Sequence, residues 1–270
     1  MSGLEMIAIT DVGTRRNHNE DCVGVEPDMG FAVLADGMGG HNAGEVASAM
    51  AVDIISRYFN GRLTHQPEAK LNEDTGFTGE SMLAQEVIAT ANDAIYEAAQ
   101  QKRECAGMGT TVVVAMFYAN RLTAAHVGDS RMYRLRGDHL SHVTEDHSLI
   151  QEQVRRGLLT ADDARNSSIK NLVTRALGVE PGVEPDVIED IFQVDDIYLM
   201  CSDGLSDVVP DEAIRLTLLD NLKNLNKAAT LLVQLANDAG GPDNISVVLI
   251  RTPKQFHRKQ GFFSRLFRRN

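Results

Sequence analysis

Apolar and polar positions follow two rhythms along this chain. Short apolar runs bounded by turn formers predict strands over Met6–Asp11, Cys22–Val25 and Phe31–Asp36. A helical rhythm then takes over. Val46, Met50, Ile54 and Tyr58 recur every four residues on one side of a helix predicted over Asn42–Phe59, with Asn42 as its N-cap and Glu45 three positions on. The polar, Gly/Pro-punctuated stretch Asn60–Gly79 reads as a loop. A second long helix over Ser81–Arg103 carries Val87, Ala91, Ala94, Ile95 and Ala98 on one side.

Strand-length runs return at Thr111–Tyr118, Leu122–Val127, Met132–Leu135 and His139–Val143, joined by links so short that only antiparallel neighbours fit. His147–Arg156 and Thr160–Arg165 read as helices, with polar Asn166–Asn171 after them. Val187–Val194 and Ile197–Cys201 read as strands, Asp211–Leu219 and Lys227–Ala239 as helices, and Ile245–Arg251 as a last strand. Antiparallel strand blocks interrupted by helix pairs predict an α+β chain, with sheet covered by helices rather than a parallel βαβ fold. No composition break or repeat divides residues 1–253, so the expected organisation is one domain followed by a short tail, 254–270.

Composition narrows the class. Of the 270 residues, 43% are hydrophobic and 24% charged, which excludes collagen-like and wholly disordered chains. Aromatics are 5% and Trp is absent, so the core must be mainly aliphatic. No apolar run reaches the roughly 18 residues of a membrane span, and no secretory signal pattern opens the chain. Three cysteines without a C-x-x-C pair suit a reducing cytoplasm. The net charge of −12 is unevenly spread: six of the 26 Lys/Arg and none of the 38 acids lie in 254–270, leaving −18 on the rest. An acidic body repels nucleic acid, and its carboxylates are the ligands that hard cations take.

Three apolar strands run into an acid beside a glycine: Asp36-Gly37, Gly128-Asp129 and Asp203-Gly204. Asp243 precedes the final strand, and Glu20 and Asp21 precede the second. An Asp at a strand end is held at the rim of a sheet, and an adjacent Gly lets a carbonyl or a water come close. Several acids on one rim repel each other unless cations neutralise them. Oxygen ligands without clustered Cys or His favour Mg²⁺ or Mn²⁺ over Zn²⁺. Asp-Gly is also a common turn dipeptide. This pattern therefore points to a metal site and leaves its reaction open.

The segments Arg16-Asn-His-Asn-Glu-Asp21, Asp36-Gly-Met-Gly-Gly-His-Asn-Ala-Gly44, Gly107-Met-Gly-Thr-Thr111, Gly128-Asp-Ser-Arg131, Thr144-Glu-Asp-His-Ser148, Cys201-Ser-Asp-Gly-Leu205 and Gly241-Pro-Asp-Asn244 stand in one order over about residues 5–251. In that order they resemble the metal-dependent serine/threonine protein phosphatases of type 2C, in their bacterial form. The resemblance implies a four-layer α-β-β-α sandwich of two antiparallel sheets flanked by helix pairs. It implies two Mn²⁺ or Mg²⁺ ions held by Asp36, the Gly37 carbonyl, Asp203 and Asp243, and a third, weaker ion at Asp129 with Asp203. Glu20 and Asp21 would act through bound water, and Arg16 would hold the substrate phosphate as a bidentate guanidinium. A metal-bridging water would attack in line, with no protein nucleophile. Met38 stands where many eukaryotic members carry a His proposed as general acid. Leaving-group protonation therefore passes to a metal-bound water or to another residue, with His147 one candidate and His41 a surface or capping residue.

The resemblance also implies phosphorylated protein substrates and an opposing Ser/Thr kinase. A catalytically silent docking protein is the rival reading, and the presence of Asp36, Asp203 and Asp243 argues against it. Gln151–Asn171 matches the family's flap. In the tail, Phe262, Phe263, Leu266 and Phe267 would share one helical face with Arg265, Arg268 and Arg269 outside it, a pattern suited to an anionic membrane surface or a partner. The expectation is a cytoplasmic monomer, peripheral to the inner membrane face where the tail engages it.

Overall fold

In the computed structural model, residues 3–39, 43–63, 71–72, 76–159 and 172–253 are described. Eleven strands among them form two antiparallel sheets. The first has the order β1 (Glu5–Asp11), β11 (Ile245–Arg251), β10 (Ile197–Cys201), β7 (Arg131–Arg136), β8 (His139–His142). The second runs β2 (Asp21–Glu26), β3 (Phe31–Met38), β5 (Val112–Tyr118), β6 (Arg121–Val127), β9 (Asp186–Ile191), with β4 (Gly109–Thr110) added on β3.

The central strands are apolar on both faces, because each sheet is covered twice. In β3, Phe31, Val33 and Ala35 turn toward helices α1 (Ala43–Arg62) and α2 (Gly79–Gln101), while Ala32 and Leu34 turn toward the other sheet. In β11, Val247 and Leu249 pack under helices α5 (Asp211–Asp220) and α6 (Leu225–Asp238), while Val248 and Ile250 join Ala32, Leu34, Phe117, Tyr198 and Met200 between the sheets. The result is helices, sheet, sheet, helices, as expected.

Helix α1 corrects the expected apolar stripe. Its buried side is Ala47, Ala51, Ile55 and Phe59, one position on from Val46, Met50, Ile54 and Tyr58. Val46 is 42% exposed, and the other three lie half-buried along the edge of the core. The alanines let the helix settle close to its sheet: a Cβ on Gly24 would come within 2.9 Å of Val52 Cγ1.

Other boundaries move because caps and tertiary contacts set them. Helix α1 continues to Arg62, α2 starts behind Thr78, whose hydroxyl accepts from Ser81 N, and β9 ends at Ile191 rather than Val194. Helix α3 (Leu149–Arg155) starts behind Ser148, which leaves His147 outside it. A short helix, α4 (Asp203–Ser206), was not anticipated. The expected cap Asn42, the helix Thr160–Arg165, the polar stretch 166–171 and the tail lie outside the described residues.

Candidate metal centre

The acids meet where the two sheets' strand ends come together. Asp36 lies in β3 and pairs across the ladder with Asp21 at the start of β2. Asp203 opens α4 directly after β10, and Asp243 precedes the neighbouring strand β11. Asp129 sits where the chain leaves β6 in one sheet to enter β7 in the other. Five of the six expected acids thus share one rim, supplied by both sheets.

Close backbone contacts explain the glycines beside them. A Cβ on Gly37 would lie 2.1 Å from the Gly44 carbonyl oxygen, and one on Gly204 would lie 2.0 Å from that of Asn244. Gly37 N donates to the Glu20 carbonyl at 3.1 Å. The Glu20 carbonyl also accepts from Ser48 Oγ, and the Glu20 carboxylate lies against Gly44.

The electrostatics are those of a cation site. Burial first, then the charges of Asp21, Asp203, Asp129 and Asp243, push the Asp36 carboxyl well above its ordinary value. Burial with Asp129, Asp243, Asp207 and Asp21 pushes Asp203 up to about 8. Burial and Asp146 push Asp129 up to about 6. Burial also raises Asp21; Ser202 Oγ donates to its Oδ2 at 2.8 Å, while its Oδ1 is buried with no hydrogen-bond partner. An oxygen-only rim with mutual repulsion and an orphaned carboxylate oxygen fits hard divalent ions. Among the described residues no three of these acids bring ligand atoms within 4.8 Å of one another, so they do not form a single compact cage.

Arg16 sits on the same rim, its Nη2 2.7 Å from Asp243 Oδ2. Asn244 binds this edge together: its Oδ1 accepts from Glu20 N at 2.8 Å, and its Nδ2 donates to the carbonyls of Val12 and His18, both at 2.9 Å. Asn244 and Ser202 both stand inside the quoted motifs with no role assigned to them there, and Asp207 stands outside those motifs. Ser202 could have been suspected as a hydroxyl directly before a rim acid. Asp207 comes close only because α4 turns it back. His147 is a buried residue beside Asp186.

A sequence model described as Protein phosphatase 2C matches residues 14–238. The chain belongs to the protein phosphatase 2C family. It is 41% identical over 244 residues to the serine/threonine phosphatase stp of Listeria innocua, covering 89% of this chain and 93% of that one. The crystal structure of the Mycobacterium tuberculosis serine/threonine phosphatase PstP/Ppp superimposes with a TM-score of 0.82 at 34% identity, covering 93% of this chain and 99% of that chain. The catalytic domain of PstP in complex with two manganese ions gives 0.80, also at 34% identity, covering 93% and 99%. As a protein phosphatase 2C the chain is a metal-dependent protein phosphatase, and its four layers are those its motifs led one to expect.

Proposed function

We propose that residues 1–253 form the catalytic domain of a serine/threonine protein phosphatase that hydrolyses phosphoserine and phosphothreonine with Mn²⁺ or Mg²⁺, opposing a Ser/Thr kinase. The observation that carries the reading is the convergence of Asp36, Asp129, Asp203 and Asp243 on one rim, where burial and neighbouring carboxylates raise Asp36, Asp129 and Asp203. Asp36, the Gly37 carbonyl, Asp203 and Asp243 would hold two ions, and Asp129 with Asp203 would hold a third. Such ions, when bound, supply an activated water and neutralise charge developing on the phosphate. Glu20 and Asp21 complete the shell through water.

Arg16 orients the substrate phosphate. Its present partner, Asp243, would also hold an ion, and with Asp243 so engaged the Arg16 guanidinium would be left to pair with the incoming phosphate. His147 is a poor general acid: it is 4% exposed, and burial, His126 and Arg175 lower it to about 4. Protonation of the leaving group passes to solvent on the rim. The basic tail serves as a contact to an anionic membrane surface, supported by its six Lys/Arg against the acidic body. Among the described residues no helix is long and apolar enough to cross a membrane.

The deciding experiment is hydrolysis of p-nitrophenyl phosphate and phosphopeptides with Mn²⁺ and with EDTA. Turnover should require the ion, and Asp36→Ala and Asp203→Ala should each lose about a hundredfold or more while staying folded. Arg16→Ala should lower kcat/KM by roughly ten- to a hundredfold, with KM rising. Turnover unchanged in EDTA removes the reading. Equal sedimentation with anionic liposomes of the full chain and a 1–253 truncation removes the role given to the tail.

A further inference from the structure

Gly128 has φ +106°, and a Cβ there would lie 2.6 Å from Thr111, so the turn that presents Asp129 is open to glycine alone. A glycine turn brings little stiffness of its own; it must be held from outside. Residues 144–147 do the holding. Met132 N donates to Thr144 Oγ1 at 2.8 Å, and His126 Nε2 meets the Glu145 carbonyl at 2.8 Å. Arg131 grips Asp146 through Nε and Nη2 at 2.7–3.1 Å. His147 closes on the turn itself: Gly128 N donates to its Nδ1 at 3.1 Å, and its own N donates to the Gly128 carbonyl at 2.9 Å. The His147 carbonyl then accepts from Thr174 N at 2.8 Å, and Ser148 bridges Val173. Residues 172–174 are where the chain returns from the 160–171 stretch.

We infer that His147 is a positioning residue, a clamp that sets the height of Asp129 on the rim and ties that turn to the chain returning at 172–174. This rests on the reading of Asp129 as an ion ligand. The ring's tautomer follows from the same bond. Because Nδ1 accepts from Gly128, the proton of the neutral ring sits on Nε2, 3.3 Å from Asp186 Oδ2, whose other oxygen pairs with Arg175. The ring also stacks on His126 with centroids 4.6 Å apart. His126, His147 and Asp186 do bring ligand atoms within 4.8 Å of one another. With Nδ1 committed to Gly128 and Nε2 protonated, however, His147 has no lone pair for a cation there.

His147→Asn, His147→Gln and His147→Ala in the full chain test the clamp. Asn places an oxygen where Nδ1 stands, Gln reaches only the Nε2 position, and Ala reaches neither. Ala and Gln should raise the Mn²⁺ concentration for half-maximal p-nitrophenyl phosphate turnover by about tenfold, whereas Asn should stay within about threefold of wild type. Amide exchange at Gly128, read without any activity, should quicken about tenfold in Ala and Gln and hold in Asn. If wild type shows no Mn²⁺ dependence, the phosphatase reading fails, and the exchange pattern still decides the clamp. Should Ala not fold, the contrast of Asn with Gln suffices. Wild-type exchange at Gly128 in a folded Gln variant, or an Asn variant as impaired as Gln, overturns the inference.

Discussion

At Asp203, burial and the fields of Asp129, Asp243 and Asp207 hold the carboxyl at about 8, against 3.8 in an unfolded chain. A group raised in this way binds more protons folded than unfolded. Its contribution to stability is fully present below 3.8 and is lost as pH rises through about 8; Asp129 adds the same sign up to about 6. In EDTA the melting temperature should therefore fall between pH 5.5 and 8.5, and Asp203→Asn should flatten that slope. Calorimetry across this range checks it, and a metal-free Tm that rises with pH would contradict the repulsive rim. Ser202 is a second residue-scale case. Its hydroxyl donates to Asp21 Oδ2 and accepts from Ser246 N at 2.9 Å, so Ser202→Ala takes a hydrogen bond from each of two buried groups. A loss of about 1–3 kcal/mol in denaturant unfolding is expected, with Cys201→Ser a poor control because that thiol is itself buried. Asp36, Asp129 and Asp203 were legible in the sequence because each announces itself beside a glycine at the end of an apolar run. Ser202 and Asn244 were not, because their worth lies in partners far along the chain: Asp21 for one, Val12, His18 and Glu20 for the other.

At the scale of elements, α1 shows where periodicity misleads. Two rows repeat every four residues on this helix, Val46-Met50-Ile54-Tyr58 and Ala47-Ala51-Ile55-Phe59, and they lie about 100° apart. Bulk favours the first row as the core face. Packing chose the second, because alanine lets the helix axis approach β2 and β3, and Ile55 and Phe59 fill what remains. Ile55→Ala should cost about 2–4 kcal/mol, as for a fully buried aliphatic truncation, and Ile54→Ala less than about 1.5 kcal/mol. Equal losses in urea titrations of the two variants would return the helix to the expected face. Strands were easier to read than helices, since two-sided burial writes them as unbroken apolar runs. Helix starts at Thr78, Ser148 and Asn224 depended on side-chain caps that resemble any polar loop residue until the fold selects them.

For the whole molecule, the rim is the place where two separately packed sheets, each under its own helix pair, are joined by charge. Asp36 and Asp21 belong to the sheet under α1 and α2; Asp203 and Asp243 belong to the sheet under α5 and α6. Without cations this junction is repulsive, and the apolar layer between the sheets holds against it. An ion shared by Asp36 and Asp203, as proposed for the rim, would turn the same junction into a cross-link, so metal should act on stability as well as on turnover. Mn²⁺ at a hundred times its Kd contributes about 2.7 kcal/mol, or roughly 5–10 °C in Tm for a chain of this size. If both acids hold one ion, Asp36→Asn alone and Asp203→Asn alone should each abolish most of that shift, and the double variant should lose no more than either. Two independent ions, one per sheet, would instead leave about half the shift in each single variant and none in the double. Differential scanning calorimetry of the four proteins, with Mn²⁺ and with EDTA, separates a centre that bridges the sheets from two sites that merely lie side by side.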